Sequence, residues 1–527
     1  MTFRRFLSAR DGNFAMLFAL VLPMLLGAVG MAVDFASMSR AHSKLQNALD
    51  SAVLAASRIN DKAVSREDVF QEYLAANLFG EPSIRNVIAK IEIDTGLNYI
   101  STVGTASADI DLNLAFLYGN AKKVSAKSSA YESRDNLEVV LALDNTGSMG
   151  EARMKELRKA ATSLVDILST VHSPDSEPKR VVRAALVPFV TSVNVKGDGF
   201  KDTWIDGHWD TKTSKYRPHV APYHGANFEK VSGKFVNHFE LYQALGVTWK
   251  GCVEARSAPY NLSDEAPDPL VPGTMFVPYF APDNPGKNAT SPNSGTAWNN
   301  SYLNDSFGSS DAAKLRNSAR YSGVSSSNKT INENSGSRTT GPNYACPTPV
   351  MPLTSDFGKL KTEIAKMIHW EGSGTNVSEG LAWSYRVLSP GEPYTEGAPF
   401  RSENTSKFVV VFTDGENTVF GASSQSYNTS DYGSYSFLDG KRIGNTTNRN
   451  TALTQVNTWT LDACTSLKNQ DVEVFTVLLG ADTQANRTLY TKCATTAEHY
   501  YATSDVSQLD VVFRKIAARI AKLYVTG

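Results

Sequence analysis

The sequence has almost no excess of charge of either sign, with 52 Lys and Arg against 53 Asp and Glu. A formal net charge of -1 gives no basic surface of the kind that nucleic-acid-binding domains present to phosphates. We therefore expect no nucleic-acid partner. Charged residues make up 20 % of the chain and hydrophobic ones 41 %, which is typical of globular protein with some membrane-inserted sequence. A chain of 527 residues is too long for one core, so we expect roughly two to four domains.

The signatures of common enzyme classes are also missing from the sequence. It has no P-loop with its lysine, no G-x-S-x-G nucleophile elbow and no Rossmann fingerprint after a strand. We therefore expect no enzymatic activity. The remaining enzymatic alternative is a metal-dependent hydrolase in which Asp144 and Asp414 act as acid and base, although carboxylates held on a metal are poor proton shuttles.

Cysteine is scarce, and none of the four cysteines forms a C-x-x-C pair, which excludes zinc ribbons and thioredoxin-like redox sites. An even number in an exported domain favours two disulfides, whereas a cytosolic location would leave four free buried thiols. Three connectivities are possible. Proximity in sequence suggests Cys252–Cys346 and Cys464–Cys493.

One long uncharged run is present near the N-terminus. Phe14 to Val33 are twenty residues without a charge, and as a helix they span about 30 Å, the thickness of the hydrocarbon core of a bilayer. Three arginines precede the run and Asp34 follows it, so the positive-inside rule predicts a cytoplasmic tail (residues 1–13) and an exported body. We therefore predict a single-pass inner-membrane protein whose bulk is periplasmic or at the cell surface.

A cleavable secretory signal is the competing interpretation of this run, but such signals carry a shorter apolar region. The sequence beyond the run also keeps a helical period, which favours a retained anchor. The apolar positions of that period are Leu45, Ala48, Leu49, Ala52, Val53 and Ala56.

Residues 34–135 are predicted to form a small α+β region. The long helix is expected to reach residue 58, and a second helix covers Arg66–Leu78. Alternating apolar and polar residues then predict three strands of a small sheet, at Val87–Ile93, Tyr99–Ile110 and Val124–Tyr131. A long apolar helix followed by a short sheet is also the layout of pilin-like subunits.

From Leu137 onwards, continuous apolar runs alternate with segments of helical period. The runs at 137–144, 181–190, 407–413 and 472–479 are typical of buried parallel strands. Helices are expected at 151–171, 355–370, 376–388, 452–468 and 506–523, with a short strand near 499–502. This order predicts a doubly wound, mostly parallel α/β sheet over residues 136–527. A large insertion without sustained periodicity, residues 191–353, interrupts it.

Oxygen-bearing side chains follow two of these strands. Asp144, Thr146 and Ser148 form a D-x-T-x-S turn after the first, Asp414 ends another in T-D-G, and a Gly-rich turn between them contains Thr375. Ligands bind doubly wound sheets at the carboxyl ends of the strands, so we expect these side chains to meet there. Two carboxylates and three hydroxyls suit Mg²⁺; Mn²⁺ would also fit, whereas Zn²⁺ prefers nitrogen or sulfur.

Other polar residues are interpreted as bystanders. Glu416 and Asn417, next to Asp414, are expected to be solvated loop residues. Four histidines of the insertion lack H-E-x-x-H or matched cysteine spacing, so we expect exposed loop histidines rather than a zinc site. They are His208, His219, His224 and His238. The tryptophans and tyrosines of the insertion are expected to fill a small core rather than to form a recognition surface.

The three motif pieces, in this order, resemble the metal-ion-dependent adhesion site (MIDAS) of von Willebrand factor A (vWA) domains. The resemblance implies that Thr146, Ser148 and Thr375 ligate a metal ion through their hydroxyls. Asp144 and Asp414 would hold the ion directly or through water. An acidic side chain of a protein partner would complete the coordination.

The N-terminal G-N-F-A-M-L-F-A-L…P…D pattern, from Gly12 to Asp34, resembles the TadG-like proteins of the TadE/TadG family, which assemble Flp/Tad pili. Trp249–Arg256, Phe276–Asp283, Gly380–Pro390 and the Cys464…Cys493 tail add to this resemblance. It implies a membrane-anchored vWA protein of the pilus machinery that binds a protein partner through Mg²⁺. The alternative is a free-standing metal-dependent surface adhesin that pilus assembly does not require.

Overall fold

The chain, seen in a computed structural model, divides into two compact units, Met1–Arg134 with Lys522–Gly527 and Asp135–Ala521. Residues 1–11 of the predicted cytoplasmic tail (residues 1–13) lie outside the described residues. The structure describes residues 12–57, 59, 64–95, 99–112, 122–133, 136–175, 179–284, 300–304, 310–333, 339–372, 374–419, 429–480, 482–521 and 525–526.

A long helix, α1 (Gly12–Ser57), opens the first unit. Its first half turns apolar side chains outward: Leu20 is 69 % exposed and Met24 is 75 % exposed, the opposite of a core helix of a soluble protein. Among the described residues, this is the one helix long and apolar enough to cross a membrane. The second half is amphipathic, and the six positions of the predicted stripe are all buried, namely Leu45, Ala48, Leu49, Ala52, Val53 and Ala56.

A second helix and an antiparallel sheet cover the amphipathic half of α1. The helix α2 (Arg66–Leu78) begins at Ser65, whose hydroxyl accepts a hydrogen bond from the backbone N–H of Asp68. Helix and sheet approach closely at Gly104, where an added Cβ would lie 2.4 Å from Val53 Cγ2. The strands pair in the order β1-β2-β3, with bounds β1 (Ile84–Thr95), β2 (Tyr99–Ile110) and β3 (Lys122–Ser133).

The second unit is built on an open sheet in the order β13-β12-β11-β4-β5-β6-β9, with β10 antiparallel to β5. Five neighbouring strands, from β13 to β5, are parallel. The bounds are β4 (Asn136–Asp144), β5 (Val182–Phe189), β6 (Val193–Asn194), β7 (Trp209–Asp210), β8 (Lys215–Tyr216), β9 (Cys252–Val253), β10 (Met351–Thr354), β11 (Thr405–Thr413), β12 (Val472–Leu479) and β13 (Tyr500–Thr503). The last strand, β14 (Val525–Thr526), pairs with β3 in the first unit.

Helices cover both faces of this sheet. Their bounds are α3 (Gly150–Thr170), α4 (His238–Leu245), α5 (Asp311–Arg316), α6 (Phe357–Lys366), α7 (Val377–Leu388), α8 (Arg449–Asn469), α9 (Gln484–Cys493) and α10 (Leu509–Ile520). Buried side chains of α3, α6 and α10 form one core with the sheet, and those of α7, α8 and α9 form the other. The predicted doubly wound, mostly parallel α/β fold is confirmed.

The insertion after β5 is short of regular structure but has a packed interior. Its aromatic side chains join the core on the α7 side of the sheet, where Phe276 lies against Trp383 with ring centroids 4.7 Å apart. These aromatic residues are therefore core-filling, as expected, but they extend the core of the sheet and do not form a separate small core. Buried aromatic residues of the insertion include Trp204, Trp249, Phe276, Phe280, Tyr302 and Tyr321.

Two disulfides are formed, with the connectivity that sequence proximity suggests. Cys252 in β9 pairs with Cys346 across 94 positions, and Cys464 in α8 pairs with Cys493 at the end of α9. In the chain-entropy model, closing the 29-residue loop of the second disulfide contributes about 3–4 kcal/mol to the free energy of unfolding. Disulfides persist in oxidising compartments, which agrees with an exported body.

The expectation of exposed loop histidines is wrong for His224 and His238, which are both 0 % exposed. The Nδ1 of His224 hydrogen-bonds the carboxylate of Asp206 at 2.9 Å, and its Nε2 accepts the backbone N–H of His238 at 2.9 Å. Both ring nitrogens of His224 therefore have protein partners, and the bond to His238 links His224 to the start of α4. No periodic pattern of apolar residues indicated this burial, because the segment around these histidines is irregular.

Candidate metal centre

The predicted site lies where the sheet changes its direction of winding. The neighbouring parallel strands β4 and β11 pair from Asn136 with Thr405 to Leu143 with Phe412. The chain continues from β4 to β5 on one side and from β11 to β12 on the other. The loops that leave the two strands therefore diverge, which opens a crevice at their carboxyl ends. Asp144 ends β4 and Asp414 directly follows β11, so both carboxylates lie at this crevice.

Asp144 is fully buried and held by three hydrogen bonds. Its Oδ1 accepts from the backbone N–H of Thr146 at 2.8 Å and from Thr146 Oγ1 at 2.6 Å. Its Oδ2 accepts from Thr413 Oγ1 at 2.7 Å. Burial and then the negative charge of Asp414 raise the pKa of Asp144 to about 7, although the hydrogen bonds from Thr146 and Thr413 oppose the shift. Burial and the second carboxylate together therefore make the ionised form of Asp144 unfavourable unless positive charge is near.

Ser148 links the two carboxylates. Its Oγ donates to Asp414 Oδ1 at 2.7 Å and lies 3.0 Å from Thr146 Oγ1, which in turn donates to Asp144. The other carboxylate oxygen of Asp414 accepts from Arg153 Nη1 at 2.6 Å. Four of the five predicted residues, from two strand ends far apart in sequence, are thus brought together, with the two hydroxyl oxygens 3.0 Å apart and each donating to its own carboxylate.

Thr375 is placed beside this set less directly. Its backbone N–H donates to Thr418 Oγ1 at 2.6 Å, and its carbonyl accepts from the backbone N–H of Thr418 at 2.8 Å. Thr418 belongs to the loop that follows Asp414. Among the described residues, the hydrogen bonds that join the other four predicted residues do not include Thr375.

The turn that carries Thr375 requires glycine. Gly372 has φ +135°, and an added Cβ would lie 2.2 Å from the hydroxyl of Tyr344. Gly374 has φ +93°, a backbone conformation that L side chains rarely adopt. Ser373, between them, lies outside the described residues.

Sequence reasoning missed three side chains that shape this edge, Thr413, Arg153 and Asn417. The expectation that Asn417 is solvated is wrong, because it is 1 % exposed. Its Oδ1 accepts from the backbone N–H of Val377 at 2.8 Å, which fixes the start of α7 next to Thr375. Glu416 is exposed, as expected. Thr413 was visible in the T-D-G motif, whereas nothing local marked Arg153 or Asn417.

The donor chemistry of the joined residues fits a hard divalent cation. Two carboxylates and two hydroxyls lie together at one edge of the sheet. All of their ligand atoms are oxygens, which Mg²⁺ and Mn²⁺ prefer. Within the part of the chain that the structure describes, no group of three or more His, Cys, Asp and Glu side chains is placed to hold a metal ion. The Asp144 edge has only two such residues, so hydroxyls would have to supply the remaining protein ligands.

Several solved structures are similar to this chain at low identity. The pilus adhesin SpaC from Lactobacillus rhamnosus GG is 10 % identical with a TM-score of 0.31, covering 85 % of this chain and 36 % of SpaC. The vWF domain of the type V pili tip protein Mfa5 from Porphyromonas gingivalis is 10 % identical with a TM-score of 0.29, covering 73 % of this chain and 95 % of that one.

Proximal thread matrix protein 1 from the mussel byssus, with a zinc-occupied MIDAS motif, is 12 % identical with a TM-score of 0.19, covering 74 % of this chain and 96 % of that one. The chain spans about a third of the length of SpaC and about half of another structure of the mussel protein. With TM-scores this low, these similarities carry no argument about the site.

The sequence comparisons concern mainly the N-terminal segment. No curated protein matches the chain in sequence. Residues 12–60 match the family described as putative Flp pilus-assembly TadE/G-like, and they comprise α1 and the residues directly after it. The resemblance predicted from the Gly12–Asp34 pattern is confirmed by this match, which covers the N-terminal segment alone.

Proposed function

We propose that this chain is a membrane-anchored vWA protein of the Flp/Tad pilus assembly machinery that binds a protein partner through a Mg²⁺-dependent adhesion site. The observation that carries the proposal is the meeting of Asp144, Thr146, Ser148 and Asp414 at the crevice between β4 and β11, where each hydroxyl donates to one carboxylate and the hydroxyl oxygens lie 3.0 Å apart. The TadE/G-like segment and the apolar first half of α1 support the pilus and membrane parts.

Each residue has a separate role in this proposal. Thr146, Ser148 and Thr375 contribute hydroxyl oxygens, and the carboxylates of Asp144 and Asp414 supply negative charge in a buried setting. Thr413 keeps Asp144 oriented through its hydrogen bond to Oδ2. The bound cation supplies the positive charge that makes contact with an acidic side chain of the partner strong. Mn²⁺ is an alternative ion because it accepts the same oxygen donors.

The topology of the proposal follows from the N-terminus. Residues 14–33 cross the inner membrane once, residues 1–13 stay in the cytoplasm, and the body is periplasmic or at the cell surface. We propose that residues 34–135 form a TadG-like region of helix and small sheet and that residues 136–527 form the vWA domain with its insertion at 191–353, except for the C-terminal strand β14, which pairs within the first unit.

The test is a pull-down from membranes with the full chain as bait, in Mg²⁺ and in EDTA. Asp144→Ala is expected to abolish the cation-dependent binding of the partner while the protein stays folded, which far-UV circular dichroism checks. Asp166→Ala is the matched control, because Asp166 is an exposed acid on α3 whose carboxylate pairs with Lys361.

Partner binding that is equal in Mg²⁺ and EDTA, and equal in wild type and Asp144→Ala, would contradict the proposal. A deletion strain that loses surface attachment but builds normal pili would instead support the free-standing adhesin.

A further inference from the structure

The carboxylate of Asp414 already has a cation from its own chain. Arg153 Nη1 lies 2.6 Å from Asp414 Oδ2, and the same nitrogen lies 3.4 Å from the backbone carbonyl of Ser148. The guanidinium therefore contacts two residues of the proposed metal site. Its position is the one that an arriving divalent ion would need to share, because Asp414 Oδ1 accepts the hydroxyl of Ser148.

The two partners of this ion pair differ in their exposure to solvent. The side chain of Asp414 is 1 % exposed, so its charge requires a compensating group, whereas the side chain of Arg153 is 42 % exposed. If Arg153 moves away from Asp414, water can solvate its guanidinium, so the free-energy cost for Arg153 is small. Asp414 would then keep a buried negative charge without a partner. The pair is therefore stable only until another cation reaches Asp414.

Arg153 also has room to move. It projects from the first turns of α3, whose backbone does not have to change for the side chain to rotate. Gly480 lies near the guanidinium and has no side chain; an added Cβ there would lie 4.0 Å from Arg153 Nη2, an ordinary contact distance. A larger residue at position 480 would narrow this space.

We infer that Arg153 is an exchangeable internal cation of the metal site. It neutralises Asp414 when no ion is bound and leaves the carboxylate when a divalent cation binds, since two positive groups on one carboxylate repel each other strongly in a partly buried site. The ion affinity of the site is therefore set by competition with Arg153. This inference rests on the proposed function, because it assumes that the Asp144 edge binds a cation.

The test is Mn²⁺ binding to the full chain in detergent, measured from the EPR signal of the free ion. Arg153→Gln is expected to bind Mn²⁺ about tenfold more tightly than the wild type, the order of free energy that one charge-assisted hydrogen bond contributes. Lys155→Gln is the matched control, since Lys155 is an exposed residue of the same helix and its loss removes the same charge. Asp144→Ala defines the signal expected without the site.

Each outcome separates the inference from the proposed function. Tighter binding by Arg153→Gln alone supports the exchange. Equal binding by wild type and Arg153→Gln, with loss in Asp144→Ala, overturns the exchange but leaves the metal site standing. Equal tightening by both Gln variants also overturns it, because the effect would then be a general loss of positive charge. Absence of binding in wild type and both Gln variants overturns the proposed metal site itself.

Discussion

The hydroxyl oxygen of Thr146 lies between Asp144 and Ser148 in the candidate site. Its Oγ1 donates to Asp144 and lies 3.0 Å from Ser148 Oγ, while its backbone N–H gives Asp144 a second hydrogen bond. Serine at this position would offer the same hydroxyl without the methyl group. The side chain is 4 % exposed, so its extra methyl group is accommodated in a closed environment.

Removal of this hydroxyl should weaken the site without unfolding the protein. Thr146→Val keeps the shape of the side chain but removes Oγ1, so we expect Mn²⁺ affinity to fall about tenfold and the free energy of unfolding to fall by about 1 kcal/mol. Thr146→Ser keeps the oxygen and should bind nearly as the wild type does. Titration calorimetry of the full chain in detergent measures the affinities. Wild-type affinity in the valine variant would show that the oxygen is not a ligand.

At the scale of elements, the insertion depends on neutral histidines around the start of α4. His224 receives the backbone N–H of His238, the first residue of the helix, so its Nε2 must be unprotonated. The Nδ1 of His238 hydrogen-bonds the carbonyl of Pro278 at 2.7 Å, which requires a proton on that nitrogen. Burial lowers the pKa of His224, although Asp206 opposes the shift, and burial lowers the pKa of His238 well below its usual value.

These directions predict acid destabilisation of the insertion. In the unfolded chain both histidines take up protons near pH 6.5, whereas in the folded chain they stay neutral to lower pH. The contribution of the neutral histidines to the free energy of unfolding is therefore complete above pH 6.5. It decreases as the pH falls, by up to about 1.4 kcal/mol per pH unit for each histidine. Urea unfolding between pH 7.5 and 5, followed by tryptophan fluorescence, measures the slope.

His238→Gln should make this slope shallower, because one of the two titrating groups is removed. A wild-type free energy of unfolding that does not change between pH 6.5 and 5 would contradict the prediction. So would a His238→Gln variant with the full wild-type slope.

At the scale of the whole molecule, the chain combines an outward-facing apolar helix with a disulfide-bonded body. Leu22 and Leu25 lie in the apolar half of α1 and are 37 % and 54 % exposed. Exposed leucines on a 46-residue helix are unfavourable in water and favourable in lipid, which supports the proposed anchor.

Charges placed within this half of α1 should weaken membrane insertion. Arginine at the centre of a membrane helix raises the insertion free energy by about 2.5–3.5 kcal/mol, so Leu22→Arg with Leu25→Arg should move much of the chain into the soluble fraction. Ser39→Arg is the control, because Ser39 is exposed on the same helix beyond the uncharged run. Alkaline carbonate extraction of membranes measures the distribution. A double variant that remains in the membrane pellet would contradict the anchor.

Helices and strands that bury side chains at a regular spacing could be predicted from the sequence. Short or mostly polar elements could not. The strand Val472–Leu479 and the helix Arg66–Leu78 were predicted with the bounds that the structure gives. The helix α9 was missed because most of its ten residues are polar and only a few are buried. The strand β10 was missed because it has four residues, one of them proline, and lies antiparallel to β5.

The sequence by itself determined which oxygen-bearing side chains follow the strands, which strands are buried and which segment is apolar enough for a membrane. These properties are local, because residue type and periodicity decide them within a few turns or strands. Only the tertiary structure decided three features. Thr413 donates a hydrogen bond to Asp144 across 269 positions, Arg153 forms an ion pair with Asp414, and His224 is buried. Those contacts depend on the order of strands in the sheet and on the pairing of charges between distant segments, which no local pattern encodes.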